Sequence, residues 1–151
     1  IKKLVMSDKT GKYSIKSRRE GRVLAFQSLF SYGFDCKDPE SLLKFDWTEE
    51  DYSNESLEYA KLLVNGTLSN IDEIDKIIKS KLKNWDYERI SNVDKAILRF
   101  ATFSLLFEQG MPEKVVINEA IEIVKKFGTE ESYKFVNGIL DAIKRNKEKN
   151  G

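Results

Sequence analysis

The sequence predicts an all-α protein of about six or seven helices. Three observations lead there. Apolar residues recur at i, i+3, i+4 in one segment after another, no stretch sustains the alternation of a strand, and short breaks, several of them at glycine or proline, separate the periodic runs. At 151 residues with 40% hydrophobic side chains, the chain is expected to fold as one domain without a metal or disulfide. The expected boundaries are a basic flexible arm over 1–14, a helical domain over 15–146 and a polar tail over 147–151.

Over residues 16–33, Val23, Phe26, Phe30 and Gly33 share one bearing, with Leu29 at its edge. Arg19 falls on that bearing one turn earlier, and Arg18 and Arg22 form an i, i+4 pair on its flank. Gly21 within this helix costs about 1 kcal/mol relative to Ala, so either the helix starts late or something packs closely there. Pro39 breaks the acidic stretch that follows, leaving a short helix over 40–45. Leu57, Ala60, Leu63, Val64 and Leu68 mark a helix over 55–68. Asn70 with Glu73 reads as a capping box opening a helix over 71–82.

The run from Val93 to Phe107 carries Ala96, Ile97, Phe100, Ala101 and Leu105 on one stripe, widened by Phe103 and Leu106 towards all-round apolarity. This is the pattern of a central helix covered by several neighbours. Gly110 and Pro112 end it and open the next helix, over 113–127, with Val116, Ile117, Ala120, Ile121, Val124 and Phe127 inward. Gly128 stops that helix. Thr129 is placed to cap the last one, which carries Val136, Ile139, Leu140 and Ile143 and runs to about 145.

Composition closes several chemistries. With no histidine and a single cysteine, Cys36, the chain lacks the usual zinc ligand sets, His-assisted nucleophiles and any disulfide framework. Cys36 reads either as a small buried hydrophobe or as a reactive thiol. Gly110, Gly128 and Gly138 lack the spacing of a nucleotide loop. The carboxylate pairs Glu130/Glu131 and Glu119/Glu122 are accounted for by solvated helix faces or helix dipoles. No catalytic site, metal or cofactor is therefore expected. With no apolar run near the ~18 residues of a membrane span and no secretory h-region, a cytoplasmic protein without membrane contact is expected.

The formal net charge of +1 conceals segregation. Residues 1–22 hold eight basic against two acidic residues, net +6, while residues 35–58 hold nine acidic against two basic, net −7. A basic arm followed by Arg18, Arg19 and Arg22 fits attraction to a polyanion, or a solvated tail. Cations at a helix N-terminus are disfavoured by about 0.3 to 1 kcal/mol each, so something must favour these arginines or they are solvated bystanders. Phe135 lies off its helix's apolar stripe beside Lys134, suited either to stacking on an unpaired base or to packing on a neighbouring helix. Asn137-Gly138 is unusual in a helix interior and fits close helix packing or backbone approach by a ligand.

Four segments, RREGRVLAFQSLF (18–30), VDKAILRFATFSLLF (93–107), PEKVVINEAIEIVKKFG (112–128) and ESYKFVNGILDAI (131–143), together resemble the NusB family of transcription antitermination factors. The likeness spans about residues 16–145. It implies two packed helical subdomains and no catalysed reaction. It also implies binding of boxA-type single-stranded RNA from ribosomal RNA operon leaders, together with the small-subunit ribosomal protein NusE, and loading onto the RNA polymerase elongation complex with other Nus factors.

Carried over by position, the resemblance implies RNA contacts at Arg18, Arg19, Arg22, Gln27, Lys134 and Phe135, with Glu131 as an acidic member of that surface. It implies NusE contacts at Phe30, Asp94, Lys95 and Arg99. Glu20 and Gly21 depart from the basic and small residues usual in the family, and Phe30 replaces its usual Tyr. Two other readings compete: the RNA-binding domain of a ribosomal RNA cytosine methyltransferase, and a homodimeric helical interaction module.

Overall fold

A computed structural model describes residues 6–7, 13–35, 39–45, 48, 50–83 and 86–150. Seven α-helices account for nearly all of them: α1 Ile15–Asp35, α2 Pro39–Leu42, α3 Asn54–Ser69, α4 Ile71–Ser80, α5 Asn92–Phe107, α6 Glu113–Phe127 and α7 Glu130–Asn150. A 3-10 turn at Tyr87–Arg89 leads into α5. Cys36 and the basic residues Lys2, Lys3, Lys9 and Lys12 lie outside the described residues.

Short polar side chains set the helix starts, because the first N–H groups of a helix have no partner within it. Ser14 Oγ accepts from Ser17 N at 3.0 Å, Ser53 Oγ from Ser56 N at 3.2 Å, Ser91 Oγ from Asp94 N at 3.1 Å and Thr129 Oγ1 from Ser132 N at 3.1 Å. The capping box expected at Asn70 does not form. Asn70 Nδ2 donates instead to Gly66 O at 2.8 Å, closing the end of α3 rather than opening α4.

α5 is the centre of the molecule. Every residue from Ala96 to Leu105 is buried, and the helix touches α1, α3, α4, α6 and α7. Helices α1 to α3 form one packed unit and α4 to α7 the other, with α5 touching both. The all-round apolar pattern of its sequence is thus matched by neighbours on every side.

The inward face of α1 is broader than predicted and rotated from it. Leu24, Ala25, Ser28 and Leu29 are the most deeply buried positions, while Val23, Phe30 and Gly33 are only partly covered. Gly21 is in the interior, where α3 crosses α1. A Cβ added there would lie 2.9 Å from Tyr59 Cδ2 and 3.0 Å from Ser56 O. Close packing, not a late helix start, explains this glycine. Glu20 is tied to the same crossing, its carboxylate accepting from Ser56 Oγ at 2.7 Å.

Three further expectations are corrected, and one of two open alternatives is excluded. Met6–Ser7, within the predicted flexible arm, pairs as a two-residue parallel strand β1 with β2, Glu108–Gln109. The predicted polar tail is helical to Asn150, and Lys147 Nζ donates to Leu105 O at 2.7 Å, reaching the last turn of α5. Phe127, expected inward, is exposed and stacks on Phe26 with centroids 4.9 Å apart. A Cβ on Gly138 would meet nothing within 4 Å, so close helix packing does not account for Asn137-Gly138.

The two glycines are expected to respond oppositely to Ala. Gly21→Ala forces the α1–α3 crossing apart and should lower unfolding stability by about 1 to 3 kcal/mol, as overpacked sites do. Gly138→Ala gains helix propensity in open space and should raise stability by up to about 1 kcal/mol. Urea denaturation of both variants checks the difference in sign.

Candidate nucleic-acid interface

The three arginines of α1 do not form a single exposed row. Arg18, half-buried, donates from Nη1 to Tyr13 O at 2.6 Å. The Arg19 side chain is 66% exposed and its Nε donates to Glu119 Oε1 on α6 at 3.0 Å. Arg22, expected at the surface, is only 5% exposed. One turn beyond Arg18, it falls where α1, α3 and α6 converge. There its Nη1 donates to the same Glu119 oxygen at 3.3 Å and its guanidinium carbon lies 5.6 Å from the Tyr59 ring centre.

Tyr59 completes this cluster. Its OH donates to Glu108 Oε2 at 2.7 Å, and its ring sits 5.2 Å from that of Tyr13. Burial pushes its phenol well above the ordinary range; Arg22 opposes the rise and Glu108 adds to it. The hydroxyl is therefore a fixed donor.

α7 and the start of α5 build a second part of the site. A cleft of about 750 Å³ is lined by residues including Ile90, Asp94, Phe127, Glu131, Lys134 and Phe135. Lys134 and Glu131 are exposed at its edge, and Phe135 is half-buried, packed partly on the core. The packing reading of Phe135 is met in part, since the core covers only some of its surface. Its ring has a packed side and an accessible one.

Asp94, expected as a contact on the surface, is 8% exposed. Among the described residues its Oδ1 has no hydrogen-bond partner. Burial raises the carboxyl above its ordinary value, against the opposing effect of hydrogen bonds from Ser132 and Ser91.

Arg99 is likewise buried, at 8% exposure, and is not available to a partner. Its Nε and Nη2 donate to the two oxygens of Asp75 on α4 at 2.9 Å each, a fork-to-fork pair. Tyr87 OH donates to Asp75 Oδ1 at 2.7 Å, and Lys95 Nζ lies 4.7 Å from the Tyr87 ring centre. Lys95 is half-buried over that ring. These residues fasten α4 and the 3-10 turn to α5.

Gln27 is half-buried on α1. Phe30 belongs to an aromatic ladder along the same helix, 6.1 Å from Phe26 and 5.0 Å from Phe34, the last 70% exposed. The ladder ends beside the start of α5: a Cβ on Gly33 would lie 2.9 Å from Asn92 Oδ1. The structure thus gathers Asp94, Glu131, Lys134 and Phe135 at one cleft. It leaves Arg18 and Arg19 at the start of α1, and turns Arg22 and Arg99 inward.

Sequence reasoning missed Glu119, read as a solvated carboxylate, whose side chain is only 13% exposed. A signal was present, since Glu119 follows Val116 by three residues and precedes Ile123 by four, on the flank of the buried stripe. Phe34 was also missed; lying within the acidic break, it belonged to no periodic run.

The model of the NusB family matches residues 19–145. The chain belongs to the NusB family. It is 46% identical over 129 residues to the transcription antitermination protein NusB of Treponema denticola, covering 84% of this chain and 95% of that one. It is 43% identical over 129 residues to the protein of that name from Leptospira biflexa, covering 85% and 92%.

Among solved structures, the fold is similar to NusB of T. maritima, with TM-score 0.77, 42% identity and coverage of 85% and 90%. It is also similar to a chain in a complex of the antitermination factors NusB and NusE with double-stranded RNA, with TM-score 0.80, 29% identity and coverage of 88% and 99%. The two-subdomain helical fold is that of the family. Among the described residues no group of side chains could hold a metal ion, and no helix is long and apolar enough to cross a membrane.

The raised Asp94 carboxyl carries a stability signature. Because its folded value lies above its unfolded one, the native state keeps this proton to higher pH than the unfolded chain does. Its contribution to stability is therefore greatest below the unfolded value and falls as pH rises through the folded one. Asp94→Asn should remove this fall, making the variant gain on the parent as pH rises above the ordinary aspartate value of about 4. Paired denaturation curves from that value upward measure it.

Proposed function

We propose that this protein is a transcription antitermination factor that binds boxA-type RNA together with NusE and joins the RNA polymerase elongation complex. The observation that carries the reading is the cleft at the start of α7, where the exposed Lys134 adjoins the accessible side of Phe135. A cation beside an aromatic face suits single-stranded RNA, whose splayed bases stack while the backbone is neutralised. Arg19 adds a guanidinium that can pair bidentately with a phosphate. The solved complex of NusB and NusE with RNA, similar in fold, supports this pairing of partners.

Arg18, Gln27 and Glu131 extend the proposed RNA surface. Arg22 and Arg99 contribute to it and to the NusE surface only as supports, being buried in ion pairs. NusE is assigned the aromatic edge of Phe30 and Phe34 with Lys95 at the adjoining start of α5, and Asp94, like Arg99, serves that surface only as a buried support. The 70% exposure of Phe34 favours a protein occupant for this edge. A second copy of the chain would use the same apolar surface, and light scattering with and without NusE separates the two. Relatives matched over nearly their whole length carry the antitermination name, which favours this function over a methyltransferase domain.

Fluorescence anisotropy with a boxA RNA, in the presence of NusE, tests the reading. Binding should weaken linearly in log Kd against log salt, with Lys134→Ala flattening the slope by about 0.7. Phe135→Ala should cost about 1 to 3 kcal/mol of binding. Absence of binding in every pairwise and ternary combination refutes the function.

A further inference from the structure

Arg19 and Arg22 converge on one acceptor, yet their surroundings give them different freedom. Arg22 is held on three sides: by Glu119 Oε1 at 3.3 Å, by Met111 Sδ, 3.7 Å from Nη2, and by the Tyr59 ring at 5.6 Å. At 5% exposure it cannot turn outward without breaking into the α1–α3 crossing. Arg19, with its side chain 66% exposed, is held among the described residues by Glu119 alone.

One carboxylate oxygen between two guanidinium groups offers them what a backbone phosphate would offer: a negative charge with acceptors at charge-assisted distance. We propose that Glu119 is an internal stand-in for an RNA phosphate. It anchors Arg22 permanently and holds Arg19 in a bond that a phosphate takes over when RNA binds. This rests on the RNA-binding function proposed above and assigns Glu119 the role of a positioning residue that limits affinity.

Two consequences separate this role from simple structural support. The trio of Arg19, Arg22 and Glu119 carries a net charge of +1 and becomes +2 when the carboxylate is replaced by an amide of the same shape. Glu119→Gln should therefore tighten boxA RNA binding by about three- to tenfold at low salt and steepen the log–log salt slope by about 0.7. The same variant should melt at lower temperature, because Arg22 loses its charged partner in a buried site. A purely structural Glu119 would lower melting temperature and affinity together. Opposite movement is the signature of the stand-in.

The test measures RNA affinity over a salt series and thermal unfolding for the parent and Glu119→Gln. Alongside it, the Nε–Hε signals of Arg19 and Arg22 are followed by NMR in the unmodified protein as boxA RNA is added. The Arg19 signal should move on binding while that of Arg22 stays. This second measurement stands if the variant fails to fold. An unmoved Arg19 signal in a protein that binds RNA overturns the proposal and leaves the RNA-binding function intact, as does unchanged or weaker binding by a folded Glu119→Gln. Failure of the unmodified protein to bind boxA RNA, alone or with NusE, removes the function itself and the proposal with it.

Discussion

A buried cation sets the terms on which the helices of this molecule meet. Removing the charge of Arg22 from water is costly unless opposite charge and hydrogen-bond acceptors replace the lost solvent. Three separate pieces of chain supply that replacement. Glu119 comes from α6, the Tyr59 face from α3, and Met111 from the turn before α6. The backbone of α1 can approach α3 closely enough only because residue 21 has no side chain. Glycine, arginine, tyrosine and glutamate at this crossing therefore form one arrangement whose members depend on each other. The charge that satisfies Arg22 also reaches the molecular surface, through Arg19.

The same economy of position holds on the other side of α5. Arg99 is neutralised by Asp75, and the phenol of Tyr87 shares that carboxylate. Burial drives the Tyr87 phenol far up from its ordinary range, with the Asp75 hydrogen bond adding to the rise and Arg99 opposing it. Each subdomain is thus pinned to the central helix or to α1 by an arginine within an aromatic setting. The outer residues of the cleft, Lys134 and Glu131, are carried on α7, which packs on both α5 and α6.

The helices and their order were legible in the sequence because apolar periodicity and cap residues act locally. Thr129 as a cap and α5 as the covered central helix needed no knowledge of neighbours. Burial of polar residues was not legible, since it depends on what lies across the packing interface. Arg22 and Arg99 look like surface cations until Glu119 and Asp75 arrive from 97 and 24 positions away along the chain. Asn70 shows the local version of this problem: its amide had two possible uses, and the carbonyl of Gly66 took it. Gly21 was recognised as anomalous from its helix alone, but choosing between its explanations required the position of Tyr59. For the site, residue types and family positions indicated Lys134 and Phe135. The division of labour between Arg19 and Arg22 emerged only from their surroundings.

Lys147 gives the end of α7 an unexpected reach. Its ammonium group donates to Leu105 O at 2.7 Å and lies 3.5 Å from the carboxylate of Glu113, the first residue of α6. A cation at this point complements the negative pole of α5 and stands in for the hydrogen bond its last turn lacks. The C-terminal turn is thereby a clasp across the junction of α5 and α6. Any partner that drew Lys147 away would loosen the corner from which α6 sets out, and with it the strut that carries Glu119 to the arginines.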